Sequence, residues 1–129
     1  MELGLRTETF QQEDHSWLGS AHGTDATRSI TLDTTKFTAG THYPNGYFPS
    51  GLPLGQITAG GKFGPYDDTA VDGRQTCVGF LMTSVRAPRT AGAPVVGALL
   101  DHGKVVTARL PLAVDANGRA DVAGRIQFL

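Results

Sequence analysis

The sequence predicts a mainly β domain that is rich in turns, and its composition and patterning both support this prediction. The chain has 17 glycines and 7 prolines among 129 residues, or roughly 19% of the chain against a usual share of about 12%. Glycine and proline are the two poorest helix formers, so this excess favours strands and turns. An apolar content of 40% is sufficient for a buried core and argues against a disordered chain.

The first half of the chain predicts short strands separated by turns. Residues 29–33 alternate between polar and apolar side chains, as a strand does, and threonines supply β-branched residues. Residues 43–55 contain an Asn-Gly turn pair and closely spaced prolines, which exclude a helix and disfavour a central strand. Two short strands, 56–59 and 62–64, are then predicted around a double-glycine turn.

The second half of the chain contains the strongest strand signal and a predicted hairpin. An acidic loop at 67–73 is followed by residues 76–85, which are apolar on both faces and therefore predict a central buried strand. Residues 95–100 and 105–110 predict a β-hairpin, with Gly103 at a turn position that needs positive φ.

The C-terminal region leaves two alternatives open. Residues 114–123 contain Asn117-Gly118, which is typical of a turn, but Asp115 followed by alanines suits the start of a short helix. Residues 126–129 are apolar enough to predict a last strand that packs into the core.

The charge distribution divides the chain near residue 28. Residues 1–27 carry five acids and one base, whereas residues 28–129 carry ten bases and seven acids. Residues 1–27 also have little hydrophobic periodicity, which predicts a flexible, extended N-terminal arm, with a β-rich domain at 28–129 that folds without it. The single tryptophan, Trp17, lies in this arm, either as an anchor for a partner or as a residue packed back on the domain.

Several classes of protein are excluded by composition. No apolar run approaches the ~20 residues of a membrane span, and no secretory signal is expected. A single cysteine, Cys77, allows no internal disulfide and is predicted to be a buried, inert thiol. The net charge of −1, without a basic cluster, gives no electrostatic support for nucleic-acid binding. Synthesis in a reducing cytoplasm fits this composition best.

Catalytic and metal-binding motifs are largely missing from the sequence. The loop at 68–79 lacks the acid at position three and the glutamate at position twelve of a calcium loop. The glycine-rich stretch 60–64 has neither the spacing of a phosphate loop nor a helix after it. The four histidines do not show the short, regular spacing of a zinc site, so no metal and no cofactor are expected.

The order of features along residues 35–129 resembles a known family of structural proteins. The features are YPNGYFPSG at 43–51 with LPLG at 52–55, KFGPY at 62–66, an acidic loop before CVGFL at 77–81, the region 95–110, and GRIQF at 124–128. In this order and spacing the chain resembles the head decoration proteins of tailed bacteriophages, the family that includes the phage lambda decoration protein. The layout is more like that of members from actinobacterial phages than like lambda's own.

The resemblance implies a compact β-tulip domain with little helix and an N-terminal arm. It implies a late structural protein of the virion, made in the bacterial cytoplasm, that decorates the outer surface of the expanded head. Its partner would be the major capsid protein, contacted by a homotrimer, and the shell would be stabilised against the pressure of packaged DNA. The resemblance implies no enzymatic activity, no nucleic-acid partner and no membrane association.

Two groups of residues are candidates for the capsid contact. The first group lies in the arm and in the strand after it. It consists of four apolar anchors and an arginine that would pair with an acidic residue of the capsid: Phe10, Trp17, Leu18, Arg28 and Ile30. The strand at 29–33 is also expected to be able to add to the edge of a capsid sheet. The second group lies in the stiff, proline-rich loop, which loses little entropy on binding: Tyr43, Pro44, Tyr47, Phe48 and Pro49.

Two other functions stay open at this level. One is a β-rich adhesion or receptor-binding module of a virion, which would not bind empty expanded capsids. The other is a small trimeric enzyme with a site at the subunit interface, built from Asp101, His102 and the acidic loop at 67–72.

Overall fold

The computed structural model describes residues 13–90 and 92–129, and the mainly β prediction is confirmed. Nine strands occur in this part of the chain: β1 (Arg28–Leu32), β2 (Tyr47–Phe48), β3 (Pro53–Gln56), β4 (Phe63–Pro65), β5 (Cys77–Leu81), β6 (Val85–Arg86), β7 (Val95–Leu100), β8 (Gly103–Val105) and β9 (Ile126–Phe128). The helices described are short: α1 (Ala39–His42), α2 (Ala116–Asp121) and 3-10 turns at Thr34–Lys36 and Thr107–Arg109.

Five of the strands close into a barrel in the order β1-β4-β3-β5-β7. Strand β1 lies where residues 29–33 were predicted, and it pairs antiparallel with β7 from Arg28↔Leu99 to Leu32↔Val95. The barrel closes through a parallel contact between β1 and β4 at the single pair Leu32↔Phe63. Two separate two-stranded sheets, β2-β6 and β8-β9, flank the barrel.

The expectation that the proline-rich segment avoids a central strand is wrong for β3. This strand pairs with β4 on one side and with β5 on the other. Pro53 is tolerated because it is the first residue of the strand, where its carbonyl accepts the Tyr66 N–H at 2.9 Å. The strand pair predicted at 56–59 and 62–64 is therefore shifted, and residues 57–62 form the connection.

Strand β5 confirms the prediction of a central buried strand, although it is shorter than residues 76–85. It lies between β3 and β7, and four of its five residues are buried. Phe80 and Leu81 point to opposite faces, as neighbouring strand residues must, and they belong to different core clusters. Val85 begins a separate strand that pairs with β2.

The predicted hairpin of 95–100 with 105–110 is wrong. Strand β7 forms as predicted, but β1 and β5 occupy its two edges in the barrel. No edge of β7 is left for the next segment, so β8 pairs in parallel with β9 instead. Residues 107–109 form a 3-10 turn rather than a strand. The positive φ predicted for Gly103 is confirmed, at 145°.

Of the two alternatives for residues 114–123, a turn or a short helix, the structure shows the helix. Asp115 caps α2 by accepting the Gly118 N–H at 2.8 Å, as an N-cap aspartate does. The helix is followed by β9, which confirms the predicted last strand.

The core consists of two clusters that meet along β5 and β7. All five barrel strands contribute to the first cluster, whose members include Leu32, Leu54, Phe63, Leu81 and Leu99. The second lies between the barrel and the C-terminal elements, and its members include Trp17, Phe80, Leu100, Val105 and Ile126. None of the helices within the described residues is long and apolar enough to span a membrane.

Candidate functional site

Two adjoining clefts share the lining residues Tyr47, Pro49 and Pro111. The first cleft has a volume of about 220 Å³ and is also lined by Trp17 and Arg109. The second has a volume of about 180 Å³ and extends past Pro44 and Leu112. We call the two clefts together the proline groove.

One end of the proline groove is built by residues 13–19, which the sequence assigned to the arm. Trp17 is fully buried and donates its indole N–H to Ser50 Oγ at 3.0 Å. The Trp17 carbonyl accepts the Val106 N–H at 2.6 Å, and Gly19 N–H donates to Lys104 at 2.8 Å. This segment therefore lies along β8, which fixes the indole at this end of the groove.

Hydrogen bonds between Ser84 and Glu13 hold the beginning of the same segment in place. Glu13 accepts the Ser84 N–H at 2.8 Å through Oε1 and the Ser84 hydroxyl at 2.6 Å through Oε2. Hydrogen bonds from Ser16 hold the pKa of the Asp14 carboxyl below its ordinary value, so Asp14 is a carboxylate at neutral pH. The first cleft thus presents both a carboxylate and the guanidinium of Arg109.

The other wall comes from the proline-rich loop, and strand alternation decides which of its side chains face the groove. Phe48 is fully buried, with its ring centroid 4.5 Å from that of Phe37 and 4.9 Å from that of Tyr43. Tyr47 and Pro49, on either side of Phe48, line the groove. Because β2 is paired with β6, the backbone that carries Tyr47 is held in place.

The structure brings together only part of the predicted contact residues. Four of them line the proline groove: Trp17, Pro44, Tyr47 and Pro49. Phe48 is a member of the first core cluster, and Tyr43 packs against it. Phe10 lies outside the described residues.

The remaining candidates of the first group lie away from the groove. Ile30 is buried in the first core cluster, and Leu18 is half-buried against the second. Arg28 is exposed and pairs with Asp101 at 3.2 Å.

Arg109 and Pro111 are groove residues that the sequence did not reveal. They flank Leu110 at the end of a segment predicted to be a strand, and no local pattern distinguishes them from ordinary turn residues. Their role depends on a contact between residues about 60 positions apart in the chain, which only the tertiary structure shows. The proline directly after an apolar segment marks a turn but does not by itself indicate a groove.

A polar cluster surrounds Tyr66, the residue that follows β4. Its hydroxyl donates to Asp115 at 2.7 Å, and Asn117 donates to Asp68 at 3.0 Å. Burial and the adjacent Asp115 raise the pKa of Tyr66, while the Tyr66 hydroxyl lowers the pKa of Asp115. These bonds connect the acidic loop to α2, and every polar group named here has a partner within the cluster.

Two of the residues considered for an enzyme site at a subunit interface contact side chains of the same chain. Asp101 pairs with Arg28, and His102 faces His22 at 3.4 Å. Cys77 is buried as predicted, and this burial raises the pKa of its thiol to about 11. Among residues 13–90 and 92–129, no three His, Cys, Asp or Glu side chains are grouped so that they could hold a metal ion.

Comparison with known proteins gives one match to a family. The model of the family described as bacteriophage lambda head decoration protein D matches residues 11–125. No curated protein matches the chain.

Proposed function

The chain belongs to the family of bacteriophage lambda head decoration protein D, and we propose that it binds the major capsid protein on the outer surface of the expanded head. Family membership gives the protein a structural role in the phage head and associates it with the capsid. We further propose that binding stabilises the shell against the pressure of packaged DNA.

The observation that supports a defined contact surface is the meeting of two chain segments in the proline groove. Residues 13–17 form one wall and residues 44–49 form the other. Tyr47 belongs to the second wall and lines both clefts, and it presents an apolar ring and a polar hydroxyl, the combination that is enriched at interfaces. The groove is therefore proposed as the place where the domain receives a segment of the capsid protein.

The stiffness of the groove favours binding. Pro44, Pro49 and Pro111 have φ fixed by their rings, so their backbone has little freedom left to lose. Prolines also lack an N–H group, which means that covering them leaves fewer donors without a partner. A rigid wall of this kind adds little ordering cost to association.

The candidates outside the groove have different roles in this proposal. The Arg28 side chain is 59% exposed despite its pairing with Asp101, so it remains available to a capsid acid. Strand addition at β1 is restricted to the edge that faces β4, because β7 pairs with the whole of the other edge. Residues 1–12, including Phe10, are proposed to extend the contact beyond the groove.

A trimer would increase the strength of attachment without further contacts in each copy. Once one subunit is bound, the others meet their sites at a high effective concentration. We therefore propose that the protein acts as a homotrimer on the capsid.

Co-sedimentation with purified shells tests the function. The protein is mixed with undecorated expanded capsids and, separately, with unexpanded procapsids. Saturable binding to the expanded shell alone is the expected result. Binding to neither shell would overturn the decoration proposal and favour an adhesion module.

A pair of arginine variants tests the groove. Arg109→Glu reverses a charge in the first cleft, and Arg119→Glu makes the same change on exposed α2. We expect capsid binding to weaken by about tenfold or more for Arg109→Glu and to stay unchanged for Arg119→Glu. Equal binding by both variants would exclude the groove while leaving the decoration function standing.

A further inference from the structure

The turns that carry His22 and His102 pack against each other through their backbones. Gly23 has φ 81° and Gly103 has φ 145°, values that favour glycine. A Cβ atom on Gly23 would overlap the His102 carbonyl oxygen, and one on Gly103 would lie 2.7 Å from the His22 carbonyl oxygen. Gly23, which follows His22, makes room for the His102 backbone, and Gly103, which follows His102, makes room for the His22 backbone. This mutual fit fixes the separation of the two turns.

The two imidazoles face each other at a distance that fits either a long hydrogen bond or a shared metal ion. His102 Nδ1 lies 3.4 Å from His22 Nε2, which exceeds the range of about 2.7–3.2 Å for an N–H hydrogen bond. Two nitrogens on a tetrahedral zinc ion, with Zn–N bonds of about 2.0–2.1 Å, are separated by about 3.3–3.4 Å. The nitrogen pair therefore already has the spacing of two neighbouring zinc ligands.

We propose that His22 and His102 form a two-histidine binding site for Zn²⁺. Imidazole nitrogen is a preferred ligand of this ion. Both residues are exposed, and both line a cleft of about 320 Å³ that leaves space for water at the remaining coordination positions. Because the described residues supply no third ligand, the site binds zinc more weakly than a four-ligand structural site.

The charges around the site also limit its affinity. Lys104 and Arg125 line the same cleft. The Arg125 guanidinium is held by the carbonyl oxygens of Val78 at 3.0 Å and Asp101 at 2.9 Å, so it cannot turn away. Lys104 is exposed, and its flexible side chain can move its ammonium group into solvent. Zinc binding must therefore overcome one fixed cation nearby.

A bound ion would connect two parts of the chain that are far apart in sequence. His22 lies in the turn before β1, and His102 lies between β7 and β8. A ligand that binds only the folded state stabilises it by mass action. Zinc would thus hold the segment that leads into β1 against the end of β7, and this effect does not depend on capsid binding.

Titration of the purified chain with Zn²⁺ tests the site. Isothermal titration calorimetry should give saturable binding of one ion per chain, and NMR should show shifts at the His22 and His102 rings. With free zinc at ten times the dissociation constant, we expect Tm to rise by about 5 °C. Added chelator should reverse the rise.

Three variants make the test specific. His22→Ala and His102→Gln should each abolish saturable binding, because each removes one of the two imidazole ligands. His102→Gln also keeps a side chain that can form hydrogen bonds. His15→Ala serves as the matched control, because His15 is also exposed and lies 3.5 Å from a carboxylate oxygen of Glu13. Absence of saturable binding to the wild-type chain at millimolar zinc, or unchanged binding by His102→Gln, would overturn the proposal.

Discussion

The indole N–H of Trp17 donates to Ser50 Oγ at 3.0 Å, and the Ser50 hydroxyl in turn donates to the Met82 carbonyl at 2.6 Å. Trp17 is fully buried, and Ser50 is 5% exposed. This chain of two bonds joins the N-terminal segment to the loop before β3 and to the end of β5. It places the residue that was expected on a flexible arm in the core of the domain.

Truncation of Trp17 should therefore destabilise the fold strongly. Trp17→Ala removes a large side chain from the second core cluster, and we expect a loss of about 3–5 kcal/mol in the free energy of unfolding. Ser50→Ala leaves the buried indole N–H without an acceptor and should cost about 1–3 kcal/mol. Urea denaturation followed by circular dichroism measures both losses. Ser29→Ala, at an exposed position of β1, is the control and should change stability by less than about 0.5 kcal/mol.

Deletion of residues 1–27 should also destabilise the domain, contrary to the expectation from sequence that 28–129 folds without them. The deletion removes Trp17 from the core, the Glu13–Ser84 hydrogen bonds and the pairing of residue 19 with Lys104. We expect a lower Tm than that of Trp17→Ala, measured by thermal unfolding with circular dichroism. An unchanged, cooperative transition would show that residues 13–27 contribute no stability.

The contrast between Trp17 and β5 shows what local sequence can predict. Residues 77–81 are apolar at every position and lie between two other strands, so the local pattern was sufficient to predict a buried strand. Trp17 lies in a mostly polar stretch, and it is buried against members of the second core cluster such as Phe80 and Val105, which are distant in the chain. The failed hairpin has the same cause, since β7 was already paired on both edges by strands distant in sequence. For the proline groove, the stiff loop was predictable, but the participation of Arg109 and Pro111 in its lining was not.

Gly118→Ala should destabilise the protein although alanine is the better helix former. In α2 the substitution gains up to about 1 kcal/mol of helix propensity. The new Cβ would, however, lie 2.7 Å from Val114 Cγ1 and 2.8 Å from Tyr66 Cε2. We expect a net loss of about 1–3 kcal/mol from this overpacking, measured by urea denaturation.

Gly40→Ala is the matched control for this substitution. Gly40 lies in α1, and a Cβ atom there would have no neighbour within 4 Å. The variant should be neutral or more stable by up to about 1 kcal/mol. If Gly118→Ala stabilised the protein as much as Gly40→Ala, close packing of α2 against Tyr66 would not limit residue 118.

Asp115 should contribute to the acid sensitivity of the fold. Hydrogen bonds from the Tyr66 hydroxyl and the Gly118 N–H lower the pKa of Asp115 in the folded state. The unfolded chain therefore binds this proton first, so the stabilisation is complete above the ordinary aspartate pKa and is lost as pH falls through the folded value. Asp115→Asn keeps an oxygen acceptor for both donors but cannot ionise.

Unfolding by urea at a series of pH values between 2 and 6 measures this effect. The wild type should lose stability steeply below about pH 4, and Asp115→Asn should lose less over the same interval. A residual slope remains in the variant because Thr35, Thr69 and Arg74 lower the pKa values of Asp33, Asp67 and Asp72 in the same way. Identical pH profiles for the two proteins would mean that the Tyr66–Asp115 hydrogen bond does not couple protonation to folding.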